Sequence, residues 1–97
     1  MGKHIPIVYR PHPIGVGTQA IYRFGNGYGA SVVRTPYTYG GDKGLFELGV
    51  IKFNGDRWRL TCKTPITNDV EGYLKPDDVE TLLDRIAALA SKPKETE

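Results

Sequence analysis

The chain has little of several features that would define a function directly. It has one cysteine, Cys62, in 97 residues, so an internal disulfide is excluded and a reducing compartment is expected. No apolar run approaches the ~20 residues of a membrane-spanning helix, and residues 1–13 lack the apolar stretch of a signal peptide. These absences predict a cytoplasmic domain without a membrane-spanning segment.

The chain is also poor in groups that suit catalysis or metal binding. His4, His12 and Cys62 do not supply the roughly four convergent ligands of a zinc site, and Cys62 is expected to be a small core residue. Four carboxylates lie around a predicted helix start, where the positive end of the helix dipole stabilises negative charge: Asp69, Glu71, Asp77 and Asp78. We therefore expect no catalytic residue, no metal site, no cofactor and no enzymatic activity.

Net charge is low, at +2, but it is unevenly spread. Residues 1–44 carry five basic side chains and one acidic, whereas residues 45–97 carry eight basic and ten acidic. A polarised chain can steer an acidic partner to one side. At this modest charge, an ordinary solvated surface is the favoured interpretation.

The glycines that are present raise the question of a phosphate-binding loop. In RFGNGYGASVVR, residues 23–34, glycine occupies positions 25, 27 and 29. A phosphate-binding loop should lead into a helix, whereas these glycines lead into YGASVVR, which is rich in strand-forming residues. The stretch is therefore predicted to be a β-hairpin.

The remaining pattern predicts one α+β domain. Three prolines among residues 1–18 exclude a helix or an interior strand, so an extended N-terminal arm is expected. Residues 19–91 hold four runs rich in β-branched and aromatic residues and one stretch with apolar residues at helical spacing; residues 92–97 form a polar tail. The predicted strands are 20–24, 28–34, 45–53 and 57–63, and the predicted helix is 76–90. The predicted fold is a four-stranded antiparallel sheet, made of two hairpins, with one C-terminal helix packed on one face.

The apolar pattern predicts the register of the first hairpin. A three-residue loop at 25–27, with its last glycine left-handed, places Tyr22 opposite Ala30 and Ala20 opposite Val32 on one apolar face. A slip of one residue would mix the two faces.

The second hairpin is predicted in the same way. A loop at residues 53–55, again with a left-handed last glycine, places Val50 opposite Trp58 and Leu48 opposite Leu60. Trp58 is then expected to be buried between the sheet and the helix.

The sheet face away from the helix is the predicted binding surface. In the predicted register it mixes cationic and apolar side chains, as protein interfaces often do: Arg23, Arg57, Arg59 and Lys63 beside Ile21, Val33, Leu45 and Ile51. Tyr37 and Tyr39, in the loop TPYTYGGDKG, extend this set. Coverage of the face by the N-terminal arm is an alternative of nearly equal weight.

Nucleic acid, or an anionic nucleotide ligand, is the second candidate partner. Arginines contact phosphates, and the two loop tyrosines could stack on bases. The net charge of +2 is low for that role, and no recognition helix or RNA-binding sheet motif is visible. Binding of a protein is therefore favoured, with a homodimer left open.

Three sequence segments resemble those of known proteins: FGNGYGASVVR, YGGDKGLFELGVI and TPITNDVEGYL. From about Phe24 to Leu89 the sequence resembles a family of small proteins encoded by tailed bacteriophages. Lys75 departs from that family, in which the helix usually opens with a Thr-Pro or Ser-Pro start. The resemblance implies a viral accessory protein that binds and modulates or inhibits a host protein in the bacterial cytoplasm. A defence component, inhibited in an anti-CRISPR-like or other anti-defence manner, is one class of target.

Overall fold

The computed structural model describes residues 4–12, 15–36, 43–61 and 70–90. These residues form the following strands and helix: β1 Val8–Pro11, β2 Thr18–Arg23, β3 Tyr28–Arg34, β4 Phe46–Asn54, β5 Arg57–Leu60, β6 Val70–Leu74 and α1 Pro76–Ala87. The fold is α+β, with an antiparallel sheet and a C-terminal helix packed on one face. This coarse prediction is confirmed.

The sheet has more strands than the four that the sequence predicts. Its order is β1-β2-β3-β4-β5, and β6 also pairs with β4. Leu60 of β5 lies opposite Ile51, and Val70 of β6 lies opposite Gly49. The two short strands therefore lie end to end along one edge of β4.

The additional strands β1 and β6 were not predicted because each has a local feature that is unusual for a strand. β1 falls within the predicted arm, but Val8 pairs with Ile21 and Pro11 with Thr18. An outermost strand tolerates proline, and no described residue pairs with the other side of β1. β6 contains a register shift, and Tyr73 has a φ of 57°. Such a bulge breaks the alternation of side chains by which a strand is usually predicted.

The glycine-rich stretch forms the predicted first hairpin. Tyr22 pairs with Ala30 and Ala20 with Val32, which confirms the predicted register. Gly27 has a φ of 89°, a left-handed conformation that glycine adopts without steric cost.

Asn26, in the loop of this hairpin, holds the end of α1. Its side-chain N–H group donates to the carbonyl oxygens of Ile86 at 2.8 Å and Leu89 at 3.1 Å. Its Oδ1 accepts a hydrogen bond from the Tyr28 N–H at 3.0 Å. Because the last carbonyls of a helix have no partner within it, Asn26 satisfies them from a different element.

The second hairpin has a different register from the predicted one. Phe53 pairs with Trp58 across a two-residue turn formed by Gly55 and Asp56. Gly55 has a φ of 64°, which suits the first central position of a type II′ turn. The prediction that Trp58 is buried under the helix is wrong: Trp58 is half-buried on the opposite face, with its ring centroid 5.9 Å from that of Phe53.

The sheet buries side chains on both faces, which explains the shifted register. The inner face, under α1, carries the larger core: Ala20, Tyr22, Ala30, Val32, Leu48 and Val50, with Val79, Leu83 and Ile86 of the helix. The outer face carries a smaller cluster: Ile21, Ile51 and Phe53, with Val8 and Trp58 packed against it. Phe53 is only 2% exposed, and burial of such a side chain contributes about 1.5–3 kcal/mol. A register that left Phe53 in a loop would lose this contribution.

Helix α1 begins at Pro76, as the sequence predicts, and ends three residues before the predicted end, at Ala87. Lys75 lacks a capping oxygen, but its N–H donates to Asp78 Oδ2 at 3.0 Å, which is one half of a capping box. The helix packs mainly on β3, β4 and β6. The inner side of β1 and β2 is consequently less covered.

Candidate functional site

The outer edge of β1 combines open backbone positions with exposed apolar side chains. Within the described residues, β1 pairs with β2 alone, so its other side is available to another strand. Ile5, Ile7 and Tyr9, at alternate positions, are 85%, 53% and 70% exposed. This arrangement is typical of surfaces that bind a partner by strand pairing.

The edge is anchored to the rest of the domain at two points. Arg10 Nε and Nη2 donate to Gln19 Oε1 of β2 at 3.0 and 2.8 Å. Ahead of β1, His4 Nε2 lies 2.7 Å from Asp84 Oδ1 of α1, and the His4 ring packs edge-on against Phe24. An anchored segment loses less conformational entropy on binding than a free one.

A partly enclosed apolar groove of about 80 Å³ lies between the inner side of β1–β2 and the start of α1. Its walls are formed by these residues: Tyr9, Thr18, Ala20, Tyr22, Val32, Phe46, Pro76, Val79 and Glu80. The groove exists because α1 packs mainly on β3, β4 and β6, and because Thr18 and Ala20 have short side chains. About 10–15 Å³ of such space is enough to hold one water molecule, so the groove has room for an alkyl chain.

Tyr22 and Glu80 give the groove its polar groups. Burial raises the pKa of the Tyr22 hydroxyl above its ordinary value of 10.0, and the proximity of Glu80 and Tyr9 raises that pKa further, because a second negative charge there would be repelled. Among the residues that the structure describes, no cation forms an ion pair with Glu80. The groove therefore offers apolar walls, two tyrosine side chains and a carboxylate.

Arg23 lies on the outer face, as predicted. Its guanidinium carbon is 4.5 Å from the centroid of the Phe53 ring, and its Nη1 is 3.6 Å from Asp56 Oδ1. The Phe53 ring covers Gly29, where an added Cβ would come within 2.8 Å of it. Arg23 thus packs against the outer cluster and also pairs with the turn of the second hairpin.

Arg57 and Arg59 lie on the other face from Arg23. Arg59 pairs with Lys52. Lys52 is next to Phe53 of the outer cluster in β4, so its side chain lies on the opposite face of the sheet. The observed register differs from the predicted one by an odd number of residues, and such a shift reverses the faces. The three arginines are therefore not brought together, and the predicted placement of Arg57 and Arg59 is wrong.

The apolar residues predicted beside these arginines are largely covered. Ile21 and Ile51 lie on the outer face but are 0% and 1% exposed. Val8 of β1 packs against their cluster together with Trp58. The alternative in which the N-terminal segment covers this face thus holds in part, through the pairing of β1 with β2.

Tyr37, Tyr39 and Lys63 of the predicted surface lie outside the described residues, as does Cys62. Their roles stay predictions. Sequence reasoning missed Tyr9 and Glu80: the alternation of Ile5, Ile7 and Tyr9 is a strand signal, but no local pattern indicates that Glu80 meets β1.

Metal and membrane signals were also sought in the ranges that the structure describes. No three His, Cys, Asp or Glu residues there are grouped to hold a metal ion, and no helix has the length and apolar character needed to cross a membrane. Comparison with protein-family models, curated proteins and solved structures finds no match for the chain. The functional assignment therefore depends on the site geometry and the sequence.

Proposed function

We propose that this chain is a binding protein and that the open edge of β1 contacts its partner. The observation that carries the proposal is the exposure of Tyr9 in the outermost strand and of Ile5 and Ile7 just before it. A partner strand paired with β1 would bond to its outward N–H and C=O groups and cover these side chains. Affinity would come from the main chain and specificity from the neighbouring side chains.

The partner we propose is a host protein in the bacterial cytoplasm. The resemblance to phage proteins supports this setting, because an accessory protein of that kind acts by binding a host factor. A host defence component is one such target. Occupying a surface of the target is sufficient to modulate or inhibit it, so the proposal requires no catalytic residue.

A charge placed directly before the edge strand β1 tests this proposal. Ile7→Lys introduces a side chain of the kind that natural sheets use to block edge pairing. Val16→Lys is the matched control, because Val16 is also exposed, at 44%, in the connection between β1 and β2. We expect the tagged chain to lose capture of a host protein with Ile7→Lys and to keep it with Val16→Lys, at equal thermal stability. Equal capture by the two variants would contradict the proposal.

Nucleic acid is the second candidate, and one observation favours it. Lys52 and Arg59 are directly opposite each other on one side of the β4–β5 hairpin, with Arg57 two residues from Arg59. Cationic side chains grouped in this way can contact the phosphates of a nucleic acid. If this candidate is correct, Arg57→Ala should reduce the slope of log affinity against log salt by about one for a random oligonucleotide. Partner binding through β1 should depend much less on salt.

A further inference from the structure

We propose that the groove beside β1 accepts a lysine or arginine side chain from the partner. This inference rests on the proposed pairing of a partner strand with β1 and adds the chemistry of one partner side chain. It depends on the shape of the groove, on the charge of Glu80 and on the position of Tyr9.

The shape of the groove suits the stem of such a side chain. Ala20, Val32, Phe46 and Val79 line it with apolar groups, in a space of about 80 Å³ that is open on one side. Lysine and arginine bury their methylene stems along apolar surface while the charged head stays near water. A bulky aromatic ligand would need more room, and a polar one would leave the apolar walls uncompensated.

The polar groups of the groove suit the charged head. Glu80 is half-buried and forms no ion pair within the described part of the chain, so a cation would supply its missing partner. The rings of Tyr9 and Tyr22 attract cations through their faces. Tyr22 also keeps its proton at neutral pH, so its hydroxyl oxygen accepts a hydrogen bond without adding charge. An anionic side chain would instead be repelled by Glu80.

Tyr9 connects the groove to the edge strand. It belongs to β1 and also forms one wall of the groove. A residue directly opposite Tyr9 on a paired partner strand would have its Cβ about 4.5–5.5 Å from that of Tyr9. From there, the long stem of lysine or arginine can pass the tyrosine ring and bring its head to Glu80.

Small analogues of the side chains test the groove without any partner. The probes are n-butylammonium and n-propylguanidinium as cations, n-butanol as the neutral control and butyrate as the anionic one. Amide chemical shifts of the full chain are followed by NMR during titration. We expect both cations to shift the resonances of Tyr9, Ala20, Tyr22 and Glu80, with butanol weaker and butyrate weakest. Equal effects of all four probes, or no shift at these residues at the highest probe concentration that leaves the fold intact, would overturn the inference.

The variant Glu80→Gln distinguishes binding that depends on the charge of Glu80 from binding that depends only on the apolar walls of the groove. It should weaken binding of the cations by roughly fivefold, as expected for a half-exposed ion pair, and leave butanol binding unchanged. Glu71→Gln is the matched control, since Glu71 lines an open cleft on another side of α1, and it should leave cation binding intact. If both variants weaken cation binding equally, the net charge of the chain explains the loss of affinity, and the specific role of Glu80 is overturned.

The groove and the edge proposals fail in distinguishable ways, because the small cations do not need strand pairing. If the cations bind and Ile7→Lys still captures the host protein, the edge proposal is wrong and the groove remains a cation site. If the cations do not bind and Ile7→Lys abolishes capture, only the groove inference is wrong.

Discussion

The side-chain amide of Asn26 donates a hydrogen bond to the main-chain oxygen of Ile86 at 2.8 Å, across 60 positions of sequence. The donor lies in the loop of the first hairpin and the acceptor in the last turn of α1. This contact, with those to Ala87 and Leu89, fixes the end of the helix against the sheet. Asn26 thus stabilises the end of α1 as well as its own hairpin loop.

Replacement of Asn26 tests that role. Asn26→Ala should lower the free energy of unfolding by about 1–2 kcal/mol, because carbonyls at the helix end lose the hydrogen bonds that the Asn26 side chain donates. Asn54→Ala is the matched control, since Asn54 also precedes a left-handed glycine but is exposed. It should change stability by less than about 0.5 kcal/mol. Urea denaturation measures both variants, and equal losses would contradict the helix-end assignment.

The buried hydroxyl of Tyr22 predicts a dependence of stability on alkaline pH. Because burial and Glu80 raise its pKa above 10.0, the folded chain keeps a proton that the unfolded chain loses. The protonated Tyr22 hydroxyl therefore contributes to the free energy of unfolding. This contribution is fully present below pH ~10 and is lost as the pH rises through the folded-state pKa. The free energy of unfolding should therefore fall less steeply above pH ~10 in Tyr22→Phe than in the wild type. Identical slopes in pH-dependent denaturation would contradict this expectation.

Gly29 predicts a steric cost on the outer face. A Cβ there would collide with the carbonyl oxygen of Tyr22 and lie 2.8 Å from the Phe53 ring, so Gly29→Ala should destabilise the fold by about 1–3 kcal/mol. Gly25 has open space at the same position and no positive φ. Gly25→Ala is thus the matched control and should be close to neutral in thermal denaturation. A neutral Gly29→Ala would contradict the close approach of both the Tyr22 carbonyl and the Phe53 ring to Gly29.

The first hairpin and the helix were predictable because their signals are local. The glycine at the end of the loop and the pairs Tyr22–Ala30 and Ala20–Val32 select one register on a single apolar face. Pro76 and the apolar spacing that follows it select the helix. In these stretches, backbone preference, turn chemistry and side-chain pattern favour the same structure.

The second hairpin was not predictable on the assumption of one buried face. β5 has only four residues, and its apolar Trp58 and Leu60 fit either face equally well. The choice depends on Phe53, which is buried against Ile21 of a distant strand. An assumption that the core lies only on the helix side of the sheet therefore moves Trp58 to the wrong face.

The sequence by itself determined the α+β class, the register of the first hairpin and the position of the helix. Each of these follows from residues that are close together in the sequence. Only the tertiary structure decided which side of the sheet receives Trp58 and the arginines, and that Asn26 reaches the end of α1. It also decided that Tyr9 from the first strand and Glu80 from the last helix line the same groove. These relationships depend on how α1 lies across the sheet, and that position results from packing over the whole core rather than from any local pattern.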